Sequence, residues 1–141
     1  MPTINFFEEG ISYKLKNKSA VRKWITETIV AEGYKLDELT YIFCSDEYLL
    51  QINQQYLDHD TYTDIITFDN AEEEGIIVGD IFISVERIKE NAAKFSVTET
   101  QELHRVMIHG ALHLLGYKDK SAADKKKMTL KEDQYLGTRT F

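Results

Sequence analysis

The sequence predicts a single α+β domain spanning residues 1–141, with a small mixed sheet of about four strands and helices packed on it. Three observations carry this reading. The 141 residues suit one domain of ordinary size. Segments with strand-like and helical apolar spacing mix without the regular alternation of a doubly wound fold. The penultimate helix is apolar around most of its circumference, as a helix buried against a sheet must be.

Taken in order, Ile4 to Leu15 reads as strand, broken near Gly10. Ser19 can cap a helix whose Val21, Trp24, Ile25, Thr28 and Ile29 line one face, and Gly33 can end it. Leu39 to Cys44 is aromatic and β-branched and predicts a strand, after which Ser45 can cap a helix with Leu49, Ile52 and Tyr56 on one side. Thr63 to Phe68 and Ile76 to Ile83 are the next strands, joined through the acidic turn from Asn70 to Gly75. Ser84 starts a helix through Val85, Ile88 and Ala92. Two further helices run from about Thr98 to Leu115 and from about Ser121 to Tyr135. Thr98 with Gln101, and Ser121 with Asp124, have the spacing of capping boxes.

Composition excludes several classes. With 43% apolar and 29% charged residues, one Pro and seven Gly, the chain is not disordered, collagen-like or of low complexity. No apolar run approaches the roughly 18 residues of a membrane helix, and the stretch from Met1 to Glu9 lacks the features of a secretory signal, so a cytoplasmic protein without membrane contact is expected. Cys44, the single cysteine, cannot close an internal disulfide and falls in an apolar strand, where a buried, inert thiol is expected. Seventeen basic against 24 acidic residues give a net charge of −7, which opposes indiscriminate attraction to phosphate backbones. Basic residues nevertheless cluster at Lys14 to Lys23 and at Lys118 to Lys131, and these clusters leave room for a nucleic-acid surface on one side.

The chemistry concentrates in the penultimate helix. At about 100° per residue, Leu103, Met107, Ala111 and Leu114 share an apolar side that Ile108, Leu112 and Leu115 widen, whereas Glu102, Arg105, His109 and His113 form a polar strip about 80° wide. His104 falls away from the strip. His109 and His113 lie one turn apart, about 5.4 Å along one face, a spacing that allows both to bind one metal ion. Alone, that pair suits a core or surface role as well as a ligand role. Gly116 can turn the chain back and bring Asp119 toward both imidazoles, giving His-x-x-x-His-x-x-Gly-x-x-Asp over residues 109–119. Asp119 could otherwise serve as a turn residue ahead of Ser121.

This is the ligand spacing of metzincin proteases with Asp as third ligand, but the position of their general base, a Glu directly after the first His, is Gly110 here. A peptidase of that type is disfavoured. Two nitrogens and one carboxylate oxygen suit Zn²⁺ with an open position for water, one ion per chain, and also suit Ni²⁺, Mn²⁺ or Fe²⁺.

The segment His109-Gly110-Ala111-Leu112-His113-Leu114-Leu115-Gly116-Tyr117 resembles the signature of the YbeY family of bacterial metal-dependent endoribonucleases. Asn53-Gln54-Gln55-Tyr56, Thr63-Asp64-Ile65-Ile66-Thr67-Phe68 and Gly79-Asp80-Ile81-Phe82-Ile83-Ser84 are similar to further family segments, so the resemblance covers roughly residues 40–120. Two departures stand out. The family's third histidine falls on Asp119, and its Arg, which helps to bind or stabilise phosphate, falls on Leu57. Arg105, Lys118 and Lys120 are the candidates to replace that cation.

The resemblance implies a single-strand-specific endoribonuclease that matures the 3′ end of 16S rRNA and takes part in ribosome quality control. Single-stranded RNA, ribosomal RNA and the small ribosomal subunit would be its partners. The expected site comprises His109, His113 and Asp119 as metal ligands, with His109, His113 and Arg105 taking part in catalysis. Alternatives are a ribosome-associated assembly factor whose metal is structural, and a non-nuclease zinc hydrolase using Glu102 or Asp64 as base. Asp80 suits either an acceptor behind a ligand histidine or a turn cap, and Thr63 and Asp64 suit turn chemistry or catalysis. Tyr56 and Phe68 are expected in the core, and His59 in a solvated turn or lining a cleft.

Overall fold

The computed structural model describes residues 2–57 and 63–141. Its element order is β1 (Thr3–Glu9), α1 (Lys18–Ala31), β2 (Lys35–Cys44), α2 (Asp46–Leu57), β3 (Ile65–Asp69), β4 (Ile76–Ser84), α3 (Val85–Phe95), α4 (Glu99–Leu114) and α5 (Ala122–Leu136). The strands form one mixed sheet in the order β1-β2-β4-β3, with β1, β2 and β4 parallel and β3 antiparallel to β4. His59, between Asp58 and Asp60, lies outside the described residues.

Side-chain alternation along the strands builds two cores. Leu39, Tyr41 and Phe43 of β2 and Ile77, Ile81 and Ile83 of β4 join the larger core, with α1, α3, α4 and α5. Cys44, Ile66 and Phe82 point the other way, toward Leu49 and Ile52 of α2. Each fully buried aliphatic side chain, such as Ile81 or Leu112, contributes about 1.5–3 kcal/mol. The Tyr41 hydroxyl donates to the Met107 carbonyl at 2.9 Å, tying α4 to the middle of the sheet.

Caps set most helix starts. Ser45 Oγ accepts from Tyr48 N, Ser84 Oγ from Arg87 N and Ser121 Oγ from Asp124 N, while Thr98 and Gln101 form a full capping box. Gly33, at φ 86°, follows the end of α1 as expected.

The structure corrects four readings. β1 stops at Glu9, and the residues up to Leu15 form no strand. Helix α1 is entered from Asn17 in the left-handed region, without a side-chain cap bond, so Ser19 lies inside the helix; Asn tolerates that conformation where most residues do not. Strand β2 begins at Lys35, whose amide donates to the Gly75 carbonyl, and a register shift between Leu36 and Glu38 hides this stretch from a simple alternation. Tyr56 is 61% exposed, not core, and only meets Phe68 edge-on, whereas Phe68 is half-buried in the smaller core.

Candidate metal centre

Helix α4 lies against β3 and β4 with Gly110 at the contact. A Cβ there would stand 2.8 Å from Ile65 Cδ1 and 3.0 Å from Ile81 Cγ2, so a larger side chain would have to displace the sheet side chains packed on this position. The place of a zincin general base is thus filled by the sheet. With Gly110 toward the sheet, His109 and His113 fall on the adjacent, partly open flank of the helix, their ring centroids 4.6 Å apart and nearly perpendicular.

After Leu114 the chain reverses. Gly116, at φ 101°, donates its amide to His113 O, and the Tyr117 amide reaches Leu112 O. The reversal carries Asp119 back to the helix, with its Oδ2 3.3 Å from His109 Nε2 and 3.2 Å from His113 Nε2. One ligand atom from each of the three residues lies within 4.8 Å of the others. Metal–ligand bonds of 2.0–2.2 Å in a tetrahedron separate the ligand atoms by about 3.4 Å, which the two His–Asp distances match.

The donor set also asks for a cation. His109 Nδ1 is 2.6 Å from Glu132 Oε2, so that nitrogen carries the proton and donates it to the carboxylate. In the neutral ring Nε2 is then a lone pair, facing another acceptor, Asp119 Oδ2. A proton or a metal ion between them removes the repulsion. Burial disfavours a charged His109, but the Glu132 hydrogen bond and the charges of Glu132, Asp119 and Asp64 outweigh it and raise its pKa. A histidine held by a carboxylate behind and open in front is the arrangement in which metal-binding imidazoles are usually oriented.

Arg105 Nη1 meets Glu132 Oε1 at 2.7 Å, and its Nη2 meets Asp133 Oδ1 at 2.6 Å. Arg105, Glu132, His109 and Asp119 thus form a continuous chain of contacts. Together with Asp64 and Glu102 they line a cleft of about 310 Å³. Burial raises the Asp64 carboxyl above the ordinary range, with Asp119 and Glu132 adding to it and His109 opposing. Burial raises Glu102 as well, reinforced by Asp64.

A second set of contacts fixes the reversal. The Tyr34 hydroxyl donates to Leu115 O at 2.9 Å. Glu32, the C-terminal cap of α1, accepts from the hydroxyls of Tyr117 and Tyr135 and, at 3.1 Å, from Lys131 Nζ. Burial alone would raise this carboxyl, but the three donors hold it below its usual value. Trp24 Nε1 donates to Tyr135 O at 2.8 Å, completing the seam between α1 and α5.

The structure thus brings His109, His113 and Asp119 together and places Arg105 on the cleft wall with its guanidinium divided between two carboxylates. Lys118 and Lys120 flank Asp119 and are exposed. Leu57 closes α2, and its side chain lies outside the described residues. His104 is buried away from the strip, as expected. Asp80 accepts from Asn70 Nδ2 at 3.1 Å, the turn role and not a link to a ligand histidine. Thr63 bonds locally to Ile65 O, whereas Asp64 lines the cleft. Cys44 is buried and pushed up to about 12 by burial, then by Asp46 and Glu9.

Glu132 is the residue that sequence reasoning missed. Its signal was present: Met128, Glu132 and Tyr135 follow the i, i+4, i+7 spacing of the buried stripe of α5, and a carboxylate in such a stripe requires a partner.

Comparison with known proteins gives a consistent picture. The family profile described as Endoribonuclease YbeY matches residues 4–139. A Cytophaga hutchinsonii protein named Endoribonuclease YbeY is 54% identical over 139 residues, covering 99% of this chain and 97% of its own. A Flavobacterium psychrophilum protein of the same name is 49% identical, covering 92% of each chain. A Porphyromonas gingivalis relative, also so named, is 46% identical over 96% of this chain and 89% of its own. A Thermotoga maritima protein solved in solution superposes with a TM-score of 0.66 at 28% identity, over 95% of this chain and 87% of that one.

Proposed function

The chain belongs to the YbeY family of endoribonucleases, and from that premise we propose that it is a Zn²⁺-dependent hydrolase of single-stranded RNA, held together at His109, His113 and Asp119. Its substrate in the cell is ribosomal RNA, matured at the 3′ end of 16S rRNA on or near the small ribosomal subunit in the cytoplasm. One observation carries the chemistry: a single carboxylate oxygen of Asp119 stands 3.3 and 3.2 Å from the two imidazole nitrogens that face it.

When bound, the ion supplies a Lewis acid and water of lowered pKa. The chain's own residues do the rest. Glu132 holds His109 in the tautomer that presents Nε2, and the Arg105 guanidinium, 2.7 Å from Glu132 Oε1, pairs with the carboxylate behind it. Asp64, its carboxyl raised by burial at the cleft wall, is the group placed to take a proton from the attacking water. The exposed Lys118 and Lys120 beside Asp119 supply the cations that a phosphodiester needs where charge develops, in place of the position held by Leu57, while Arg105 serves catalysis from the cleft wall through its contact with Glu132 behind His109.

The test is cleavage of single-stranded RNA by the purified protein after chelation and after return of Zn²⁺, Ni²⁺ or Mn²⁺. Activity that is lost on chelation, restored best by Zn²⁺ and absent from Asp64→Asn at unchanged metal content supports the reading. Metal uptake at this site with no RNA cleavage under any ion would refute it.

A further inference from the structure

We infer that the groove beside the metal cleft is a base-stacking subsite, in which Phe95 packs on a base of single-stranded RNA flanking the scissile bond. Lys94 and Arg139 meet the neighbouring phosphates. The inference rests on the ribonuclease reading and adds to it a place for the substrate outside the metal centre.

The groove has a volume of about 490 Å³ and is walled by Phe95, Val97, Arg105 and Arg139, with Glu102 and Asp133 between them. Glu102 and Arg105 line the metal cleft as well, so the two depressions adjoin across these side chains and a strand crossing Arg105 would touch both. The local backbone explains the apolar rim. Helix α3 ends at Phe95, Ser96 takes the left-handed conformation at φ 57°, and α4 is capped at Thr98, so the short connector turns Phe95 and Val97 outward. Phe95 is 57% and Val97 39% exposed. An exposed aromatic ring at the mouth of a cleft is costly in water and favourable under a nucleobase.

The charges fit a polyanion. Lys94 Nζ stands 5.8 Å from the centroid of the Phe95 ring, a cation over the stacking surface. Across the groove, Arg139 donates through Nε to Leu136 O, and its Nη1 meets His104 Nδ1 at 2.8 Å. It forms no ion pair with a carboxylate of the described residues, whereas Arg105 is shared between two. Asp133 is thereby matched by Arg105. The Arg139 guanidinium lies over the Trp24 ring, 6.0 Å from its centroid, and in a chain of net charge −7 it gives this groove a cation with no carboxylate partner among the described residues. Because every base offers a π-face, such a subsite accepts any sequence and gives affinity and register.

The test uses the full chain, loaded with Zn²⁺, and a short single-stranded oligoadenylate carrying a fluorescent adenine analogue. Phe95→Ala is expected to raise KM for cleavage by about 5- to 100-fold, the range of one base–aromatic stack, with kcat nearly unchanged, and to abolish quenching of the analogue. Phe95→Trp restores both, and Lys94→Glu weakens binding and lowers its salt dependence by about one counterion. Equal melting temperatures show that the variants fold. Wild-type cleavage with an unchanged KM and unchanged quenching in Phe95→Ala would overturn the subsite alone, leaving the patch to another kind of partner. A wild type that neither binds nor cuts this RNA would instead remove the ribonuclease reading and the subsite with it.

Discussion

His104 and His109 lie about one and a half turns apart on α4, and their surroundings are opposite. His104 is sealed between Trp24 and Phe141, each 5.5 Å away, with the Arg139 guanidinium on its Nδ1; burial, then that cation, lowers its pKa to about 4. His109 faces Glu132, Asp119 and Asp64, and their charges raise its pKa despite its burial. One imidazole is therefore a neutral core group and the other is ready for a cation. Burial disfavours the charged form of both rings, so the sign of the neighbouring charge decides the role.

The comparison breaks most visibly at the ligands. His113→Ala or Asp119→Ala is expected to lower metal affinity by more than ~100-fold, read as metal content per chain after dialysis, and to end RNA cleavage. Retention of the ion by Asp119→Ala would move the third ligand elsewhere. His104→Ala should do the reverse: stability falls by about 2–4 kcal/mol in urea titration while one ion per chain remains.

Protonation gives the two histidines opposite slopes. The unfolded chain takes up a proton at His104 near its ordinary 6.5, which the folded chain refuses until about 4. Stability therefore falls as pH is lowered through that window, by up to roughly 3 kcal/mol, and His104→Gln should flatten this limb. His109, with its pKa raised, stabilises the metal-free fold fully below 6.5 and loses that contribution as pH rises through its folded value. Metal-free protein should thus be most stable near the crossover. Metal, which displaces the His109 proton, should remove the alkaline limb alone. Denaturation midpoints across pH, with and without Zn²⁺, check both signs.

The smallest effect is expected at Glu132→Gln. The amide keeps the shape behind His109 and loses the charge, so metal affinity should drop by about 10- to 100-fold with both histidines intact. Competition with a chromogenic chelator measures it. An unchanged affinity would mean that position alone, and not charge, prepares His109.

The legible part of this protein was the part encoded within a few residues of itself. Thr98, Ser84 and Ser121 announce their helices because a cap acts over three residues, and His109, His113 and Asp119 announce a ligand set because one helix turn and one reversal bring them together. Glu132 and Glu32 act across elements far apart in the chain, and nothing in their local sequence names His109 or Tyr117 as partner. The same limit explains Arg105, whose place on the polar strip was visible and whose two carboxylate partners on α5 were not. Ser19 misled because side-chain capping chemistry is only one way to enter a helix, and here the left-handed Asn17 provides another.

The Glu32 junction has a consequence for the order in which the chain is made. When Asp119 leaves the ribosome all three candidate ligands exist, but Tyr135, Lys131 and Glu132 are still to come. Glu32 then has Tyr117 but neither Tyr135 nor Lys131, and His109 has no carboxylate behind it. A chain halted before that helix therefore carries the complete candidate ligand motif without the carboxylate behind His109, its reversal held only by Tyr34 and by Tyr117 on Glu32.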